Sequence, residues 1–110
     1  PRGFYSVARS AKGSVIGYIG WWVTGQKVAT IMHIAVEKQH RGSGVGRSLL
    51  EFACNHATSC KCEIMQLQVR SKNTSARLFY RSCGFDEISM NRDYYTSPED
   101  DAVFMQKSLM

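Results

Sequence analysis

The residues best placed to do chemistry lie in the run Arg41-Gly42-Ser43-Gly44-Val45-Gly46-Arg47. An apolar stretch ending Ile34-Ala35-Val36 precedes it, and residues with helical spacing follow. A helix N-terminus presents N–H groups without intrahelical partners and a partial positive charge. Glycines at 42, 44 and 46 let such a backbone approach a ligand closely, and Arg41 and Arg47 add charge. The implied chemistry is an anion cradle suited to a pyrophosphate. The plainer alternative is a tight strand-to-helix connection with a solvated surface. A dinucleotide-binding unit would need parallel strands and an acid about 20 residues on. Here the preceding strands read as an antiparallel hairpin, and Glu63 is the only acid in that range. A P-loop is excluded because no Gly-Lys-Ser/Thr is present.

A second cluster, Cys54-x-His56-x-x-x-Cys60-x-Cys62, places four possible zinc ligands within nine residues. Structural zinc favours paired knuckles such as Cys-x-x-Cys, and these positions straddle a helix end and the next strand. The expectation is therefore no metal, with Cys54 in the core and Cys60 and Cys62 as ordinary loop thiols. Asn73-Thr74-Ser75 matches a glycosylation sequon by chance in a reducing compartment.

The elements that must position these residues follow from pattern. Phe4 to Arg9 reads as a short strand. Ser14 to Thr24 is rich in Val, Ile, Tyr and Trp, which suit a pleated surface. Gly25-Gln26-Lys27 turns the chain into a third strand, Val28 to Val36, giving an antiparallel hairpin. Arg47 to Thr58 has apolar residues at helical spacing. Ile64 to Val69 is bounded like a strand. Asn73 caps a helix through Ala76, Leu78, Phe79 and Tyr80, and Gly84 ends it in a left-handed conformation. Phe85 to Met90 and Ala102 to Leu109 close the fold as strands, with Thr96-Ser-Pro-Glu-Asp-Asp101 as the loop between them. The sum is an α/β (α+β) sheet layered with helices, in one domain over residues 1–110.

Composition bounds the rest. The chain has 110 residues, 44% apolar and 21% charged, which excludes long disorder and low complexity. No stretch approaches the ~20 apolar residues of a membrane span; the longest run, near Val15 to Val23, is broken by Gly17 and Gly20. A net charge of +5 favours anionic partners. The basic residues are scattered, without the interleaved aromatic platform that nucleic-acid binding uses. Four clustered cysteines are too few for a disulfide framework, and the absence of a signal-peptide layout fits a cytoplasmic setting. The chain begins Pro-Arg-Gly rather than with Met, so it is expected to start inside a longer product. Trp21 and Trp22 point to opposite faces of one strand, so one of them is exposed or covered by another segment.

These motifs carry a family resemblance. Ile34-Ala-Val36 followed by Arg41 to Leu50 resembles the acetyl-CoA motif of the GNAT superfamily of N-acetyltransferases, whose pattern Arg/Gln-x-x-Gly-x-Gly/Ala fits Arg41 to Gly46. Leu67-Gln-Val-Arg70-Ser-Lys-Asn73, Ala76-Arg-Leu-Phe-Tyr80 and Gly84-Phe85 resemble the second half of that fold. Asn91-Arg-Asp-Tyr94-Tyr95 with Glu99-Asp-Asp-Ala102 and Met105 is similar to the RimI and N-terminal acetyltransferase branch. The similarity covers Ile16 to Leu109. It implies a mixed, mostly antiparallel sheet flanked by helices, here without the family's usual first strand and two helices. It further implies acetyl-CoA as co-substrate. Ile34, Ala35 and Val36 would offer backbone groups to it, Gly42 through Arg47 would hold its pyrophosphate, and Asn73 would bond its pantetheine arm. Tyr80 would sit near the thioester sulfur and protonate the leaving thiolate; a phenol with a pKa near 10 is protonated at neutral pH. Tyr94 would contact the acceptor backbone, its alternative being one of a pair of half-buried strand tyrosines.

The chain departs from the family at the general base. Gln68 stands where RimI-like enzymes carry glutamate, and an amide orients a water or the amine but takes no proton. Relatives that place the base on the neighbouring strand do so at positions matching Thr30 and Met32, neither of which is basic here. Strict alternation turns His33 to the opposite face, and Glu37 at the strand end reads as a solvated charge. A baseless site favours one acceptor. Near pH 7.4 roughly a quarter of peptide α-amines are neutral, against about one lysine in a thousand. General-base help is worth ~10²–10⁴-fold, so its loss is tolerable for an α-amine. The expected acceptor is a protein or peptide N-terminus, on a ribosomal protein or a nascent chain. The alternatives are lysine or small-molecule amine acetylation, and an acetyl-CoA-binding module without turnover.

Overall fold

A computed structural model describes residues 2–110. Its elements run β1 (Arg2–Arg9), β2 (Val15–Val23), β3 (Val28–Val36), a single 3-10 turn at Lys38–His40, α1 (Val45–Ser59), β4 (Ile64–Arg70), α2 (Thr74–Ser82), β5 (Asp86–Thr96) and β6 (Glu99–Ser108). Along the hydrogen-bonded ladders the strand order is β1-β2-β3-β4-β6-β5. The fold class is the expected one: mixed α/β, with a mostly antiparallel sheet and two helices. The chain divides into two compact units, one reaching to Met65 and including Leu109 and Met110, the other Gln66–Ser108.

In the first unit β1 pairs antiparallel with β2, and β2 with β3. The α1 residues Leu49, Leu50, Ala53, Cys54 and Ala57 form one buried stripe, the pattern of a helix laid on a sheet. They meet Ile19, Trp21, Ala29 and Ile31, all buried. Trp21 donates its indole N–H to His56 Nδ1 on α1 at 3.1 Å, and Phe4 stacks on Trp21 and tilts against the His56 ring. Trp21 is 1% exposed and Trp22 42%, so the two tryptophans do take opposite faces, as read from their adjacency.

The β2–β3 ladder contains one extra residue. At one end Thr24 N–H donates to the Val28 carbonyl; at the other Glu37 N–H donates to the Ile16 carbonyl. The second strand advances nine residues between these bonds (28 to 37) and the first eight (16 to 24). The register places the irregularity opposite Gly20 and Trp21: Trp21 pairs with Ile31 and Gly20 with His33. Met32 is therefore a β-bulge, and it corrects the assignment of His33. Paired residues share a face, so the row Phe4–Trp21–Ile31 faces α1, while Gly3–Trp22–Thr30 and Tyr5–Gly20–His33 face away from it. His33 thus shares the face of Thr30, which strict alternation denied.

In the second unit, Leu67 and Val69 of β4 are buried on one face and Gln68 is exposed on the other. Tyr80, Cys83, Phe85, Ala102, Val103 and Met105 complete that core. Gly84 takes φ 95° after α2, as expected, and Lys107 Nζ donates to the Cys83 carbonyl at 2.8 Å, closing the helix end with a cation. The expected six-residue loop is corrected to a tight turn, because β5 continues to Thr96 and β6 begins at Glu99. Pairing with β6 at Asn91 and again at Tyr95 and Thr96 carries the strand across this polar run, with the register irregular between them. Cys54 is in the core as expected, and Cys62 lies in the loop after α1 as expected but is buried there. Its N–H donates back to the Ala57 carbonyl, tucking the thiol under the helix end.

Gly17 sits beneath α1. A Cβ there would lie 2.9 Å from the Ala35 carbonyl oxygen and 3.2 Å from the Leu49 side chain. Gly17→Ala is expected to lower unfolding stability by ~1–3 kcal/mol, the range for overpacking a fixed backbone, measured by chemical denaturation against Gly25→Ala, whose Cβ meets open space.

Candidate active site

The glycine-rich turn leads directly into α1. Gly42 and Gly44 have φ of 82° and 89°, and a Cβ on either would meet nothing within 4 Å. Glycine is required there by backbone conformation rather than by crowding, and the space above the turn is open. Gly44 is the N-cap and supplies no side-chain cap, and the first turn holds no acidic residue. The first helical bond is Ser48 N–H to the Gly44 carbonyl at 3.0 Å, so the preceding helix-start N–H groups have no intrahelical acceptor. Ser43 donates to the His40 carbonyl, and Arg41 Nε donates to the Val36 carbonyl at 3.0 Å, tying the turn to the end of β3. Arg41 and Arg47 are both exposed. A hollow of about 340 Å³ adjoins this turn, bounded by Ser6 and Arg9 of β1 and by Ser43, Ser48 and Phe52.

The bulge also sets which backbone groups are available. In an antiparallel ladder, residues alternate between bonding their neighbour and facing away from it. Counting back from the Glu37–Ile16 bond, Ala35 and His33 bond β2, while Ile34 and Val36 turn their N–H and C=O groups away from it. The Val36 carbonyl is taken by Arg41. The first unit therefore brings the backbone of Ile34 and Val36 that turns away from β2 close in sequence to the helix start at Gly42–Arg47, a combination of groups able to bond an extended amide-containing chain that ends in phosphates.

The remaining expected residues belong to the second unit. Asn73 caps α2: its Oδ1 accepts the Ala76 N–H at 3.2 Å and the Ser75 hydroxyl at 3.3 Å. These bonds use the oxygen, so its amide N–H₂ is the group suited to donate to a ligand. Tyr80 shares α2, is 8% exposed, and packs edge-on against Phe85. Burial, with a smaller contribution from Cys83, pushes its phenol up to about 12. It is thus firmly protonated and a hydrogen-bond donor. Gln68 is exposed on β4. Tyr94, 49% exposed, stands edge-on to Tyr95, whose ring lies under the Arg70 guanidinium at 4.1 Å.

Sequence reasoning missed what holds α2 in place. Asp100 is buried at the start of β6; its carboxylate accepts the Lys72 N–H at 3.0 Å and the Asp101 N–H at 2.8 Å. The Asp101 carbonyl accepts the Ser71 N–H. Arg77 grips Glu87 with two bonds of 2.8 and 3.0 Å and donates to the Ser71 carbonyl at 2.7 Å. The loop that delivers Asn73 is therefore fixed from β5, β6 and α2. In the sequence, Glu99-Asp-Asp101 falls in the loop expected from Thr96 to Asp101, and no signal distinguishes Asp100.

The cysteine–histidine cluster forms no metal centre. His56 Nδ1 is occupied by Trp21, and Cys60 Sγ lies 3.9–4.0 Å from the imidazole nitrogens. Among the described residues no group of three or more His, Cys, Asp or Glu is placed to hold a metal. Nor is any helix long and apolar enough to cross a membrane.

A glycine-rich helix start follows directly on a strand whose Ile34 and Val36 backbone groups turn away from β2, in a mixed α/β protein. The chain matches the model of the acetyltransferase (GNAT) family over residues 1–85, and it belongs to that family. It is 35% identical over 79 residues to the [ribosomal protein bS18]-alanine N-acetyltransferase of Escherichia coli K12, a match covering 70% of this chain and 53% of that enzyme. It is 32% identical to the N-alpha-acetyltransferase RimI of Mycobacterium tuberculosis, over 97% of this chain and 67% of that protein. The crystal structure of the E. coli ribosomal-protein-S18-alanine N-acetyltransferase superposes with a TM-score of 0.87 at 28% identity, over 98% of this chain and 70% of that one. The chain thus spans about half the length of the E. coli relative that it matches.

Asp100 gives the second unit a pH dependence. Burial pushes its carboxyl up, but the N–H bonds from Lys72 and Asp101, with the Lys72 and Arg70 charges, outweigh this and hold it below the usual carboxylate range. The folded state then binds fewer protons than the unfolded one, so this contribution is complete above about pH 5 and fades as pH falls through the depressed range. Asp100→Asn is expected to lower the thermal midpoint at pH 7, and the gap from wild type should narrow towards pH 3. A gap that stays constant with pH would exclude the carboxylate as its source.

Proposed function

We propose that this chain forms the acetyl-transferring part of a cytoplasmic, acetyl-CoA-dependent N-acetyltransferase that modifies a protein N-terminal α-amine. The observation that carries this reading is the outward-turned backbone of Ile34 and Val36 immediately before an uncapped, glycine-rich helix start. The names of the relatives, which specify an alanine of a ribosomal protein in one case and N-alpha-acetylation in another, support the acceptor class.

Acetyl-CoA supplies an activated acetyl thioester. The helix start at Gly42–Arg47 binds its diphosphate through N–H groups and the positive end of the helix, with Arg41 and Arg47 adding charge. Ile34 and Val36 offer backbone partners to the amide-bearing arm, and Asn73 donates its amide N–H₂ to it. Backbone N–H groups polarise the thioester carbonyl. Tyr80 donates its phenolic hydrogen to the sulfur as negative charge develops there. With a pKa raised to about 12, the phenol gives up its proton only as the one shed by the attacking amine replaces it. Gln68 orients the amine or a water, and Tyr94 contacts the acceptor backbone. The acceptor is the N-terminus of a ribosomal protein or of a nascent chain.

Two measurements test this reading. A lysine-free peptide with a free α-amine is expected to be acetylated, and a blocked peptide with one internal lysine is not; the reverse result would overturn the acceptor assignment. Tyr80→Phe is expected to reduce turnover about 100-fold, the lower part of the general-acid range, while acetyl-CoA affinity by calorimetry changes several-fold at most. Equal losses in both would remove its role at the sulfur.

A further inference from the structure

We infer that Arg70 is a positioning residue for the acceptor peptide: it holds the end of the β5–β6 hairpin, and Tyr94 with it, in one place. This rests on the reading above in which Tyr94 contacts the acceptor backbone. Every group involved belongs to the second unit. Arg70 ends β4, and its guanidinium lies 4.1 Å from the centre of the Tyr95 ring on β5. Its Nη1 also donates to the Pro98 carbonyl at 2.8 Å, in the turn between β5 and β6. The Tyr95 ring meets Tyr94 edge-on, with ring centres 5.1 Å apart. Arg70, Tyr95 and Tyr94 thus form one continuous line of contacts.

Strand pairing alone holds the hairpin end weakly. The register between β5 and β6 is irregular from Asn91 to Tyr95, and Asp93 takes φ 54°. Two pairs, Tyr95–Asp100 and Thr96–Glu99, stand beyond that break. Short ribbon ends of this kind open at little cost. Before Tyr94, the Asp93 N–H is held by the Asp101 carboxylate at 2.7 Å. After it, Arg70 supplies its two contacts from outside the hairpin. A planar guanidinium covers a ring face and donates to a carbonyl at the same time, which the compact charge of a lysine does not.

The loop that bears Asn73 is fastened separately. Lys72 N–H bonds the Asp100 carboxylate, Ser71 N–H bonds the Asp101 carbonyl, and Arg77 donates to the Ser71 carbonyl. None of these bonds uses the Arg70 guanidinium. Removing that group therefore frees the hairpin end and leaves Asn73 in its place. The acceptor and the cofactor are expected to respond differently to the same substitution.

Wild type, Arg70→Met, Tyr95→Leu, Tyr95→Phe and Tyr94→Ala are compared with a lysine-free peptide carrying a free α-amine. Steady-state kinetics, acetyl-CoA affinity by calorimetry, the thermal midpoint and hydrogen exchange over residues 93–101 are measured in each. Methionine keeps the apolar stem of Arg70 and removes both contacts; phenylalanine keeps the ring face of Tyr95. Arg70→Met and Tyr95→Leu are expected to raise the peptide KM about 10-fold, the scale of a cation–π contact with a charged hydrogen bond. Both speed exchange at the hairpin end, while kcat, acetyl-CoA affinity and the thermal midpoint stay near wild type. Tyr95→Phe matches wild type, and Tyr94→Ala raises the peptide KM as well. If Tyr94→Ala raises the peptide KM but Arg70→Met changes neither KM nor exchange, the inference is overturned and the functional reading stands. Parallel losses of peptide and acetyl-CoA binding in Arg70→Met, or a Tyr95→Phe as impaired as Tyr95→Leu, would also overturn it. An unchanged KM in Tyr94→Ala would remove the acceptor contact from the reading, and a wild type inactive on the peptide would remove the reading itself; the inference falls with either.

Discussion

A strand that pairs on a strict two-residue period fixes both the face of each side chain and the direction of each backbone group. In β3 that count is broken once, at Met32, and both consequences follow together. Before the bulge, Val28 and Thr30 bond β2 and Ile31 packs under α1. After it, His33 and Ala35 bond β2, and Ile34 and Val36 turn outward. Without the extra residue the same sequence would hide its outward-turned amides in the hairpin and place His33 among the α1 contacts. The bulge is compatible with a firm hydrophobic layer because Trp21, Ile31 and Ile19 hold their positions on either side of it. The Trp21–His56 bond then locks that layer to the helix.

The second unit solves a different problem. Its loop between β4 and α2 is short and must hold Asn73 in one orientation. Backbone N–H groups in such a loop need partners when they are withdrawn from water. Asp100 and Asp101 supply them from β6, and Arg77 supplies the matching donor for the Ser71 carbonyl. A carboxylate accepting backbone N–H bonds is a stronger acceptor than a neutral group, which suits it to a loop with no regular ladder of its own. The cation of Arg70 over Tyr95, with its bond to the Pro98 carbonyl, extends the same fastening to the turn of the β5–β6 hairpin.

Much of this was legible in the residues. The spacing of Leu49, Leu50, Ala53 and Ala57 gave α1 within two residues at its start and one at its end. Val28 to Val36 was read at its observed bounds, and Asn73 and Gly84 marked both ends of α2. The glycines at 42 and 44 were recognisable as a special turn, although they answer to positive φ rather than to crowding. The bulge was not legible, because Thr30-Ile-Met-His-Ile34 carries no glycine or proline and bulges arise from how two strands share a register. The length of β5 was missed because Asn91-Arg-Asp93 is polar on both faces; an edge strand draws its order from backbone pairing, not from burial. Asp100 was missed because a buried carboxylate and a solvated one look alike until their partners are known.

The outer strand β5 carries a further consequence. It pairs along one side with β6 and is exposed along nearly its whole length. Such an edge is a template on which another chain could add a strand. Here it carries Asp86, Glu87, Arg92 and Asp93, its register slips twice, and Asp93 adopts φ 54° with its N–H already bonded to Asp101. An incoming strand would meet a broken row of donors and acceptors flanked by charges of both signs. The irregularities that make this strand hard to read in sequence are the ones that guard the protein against growing into aggregates from that side.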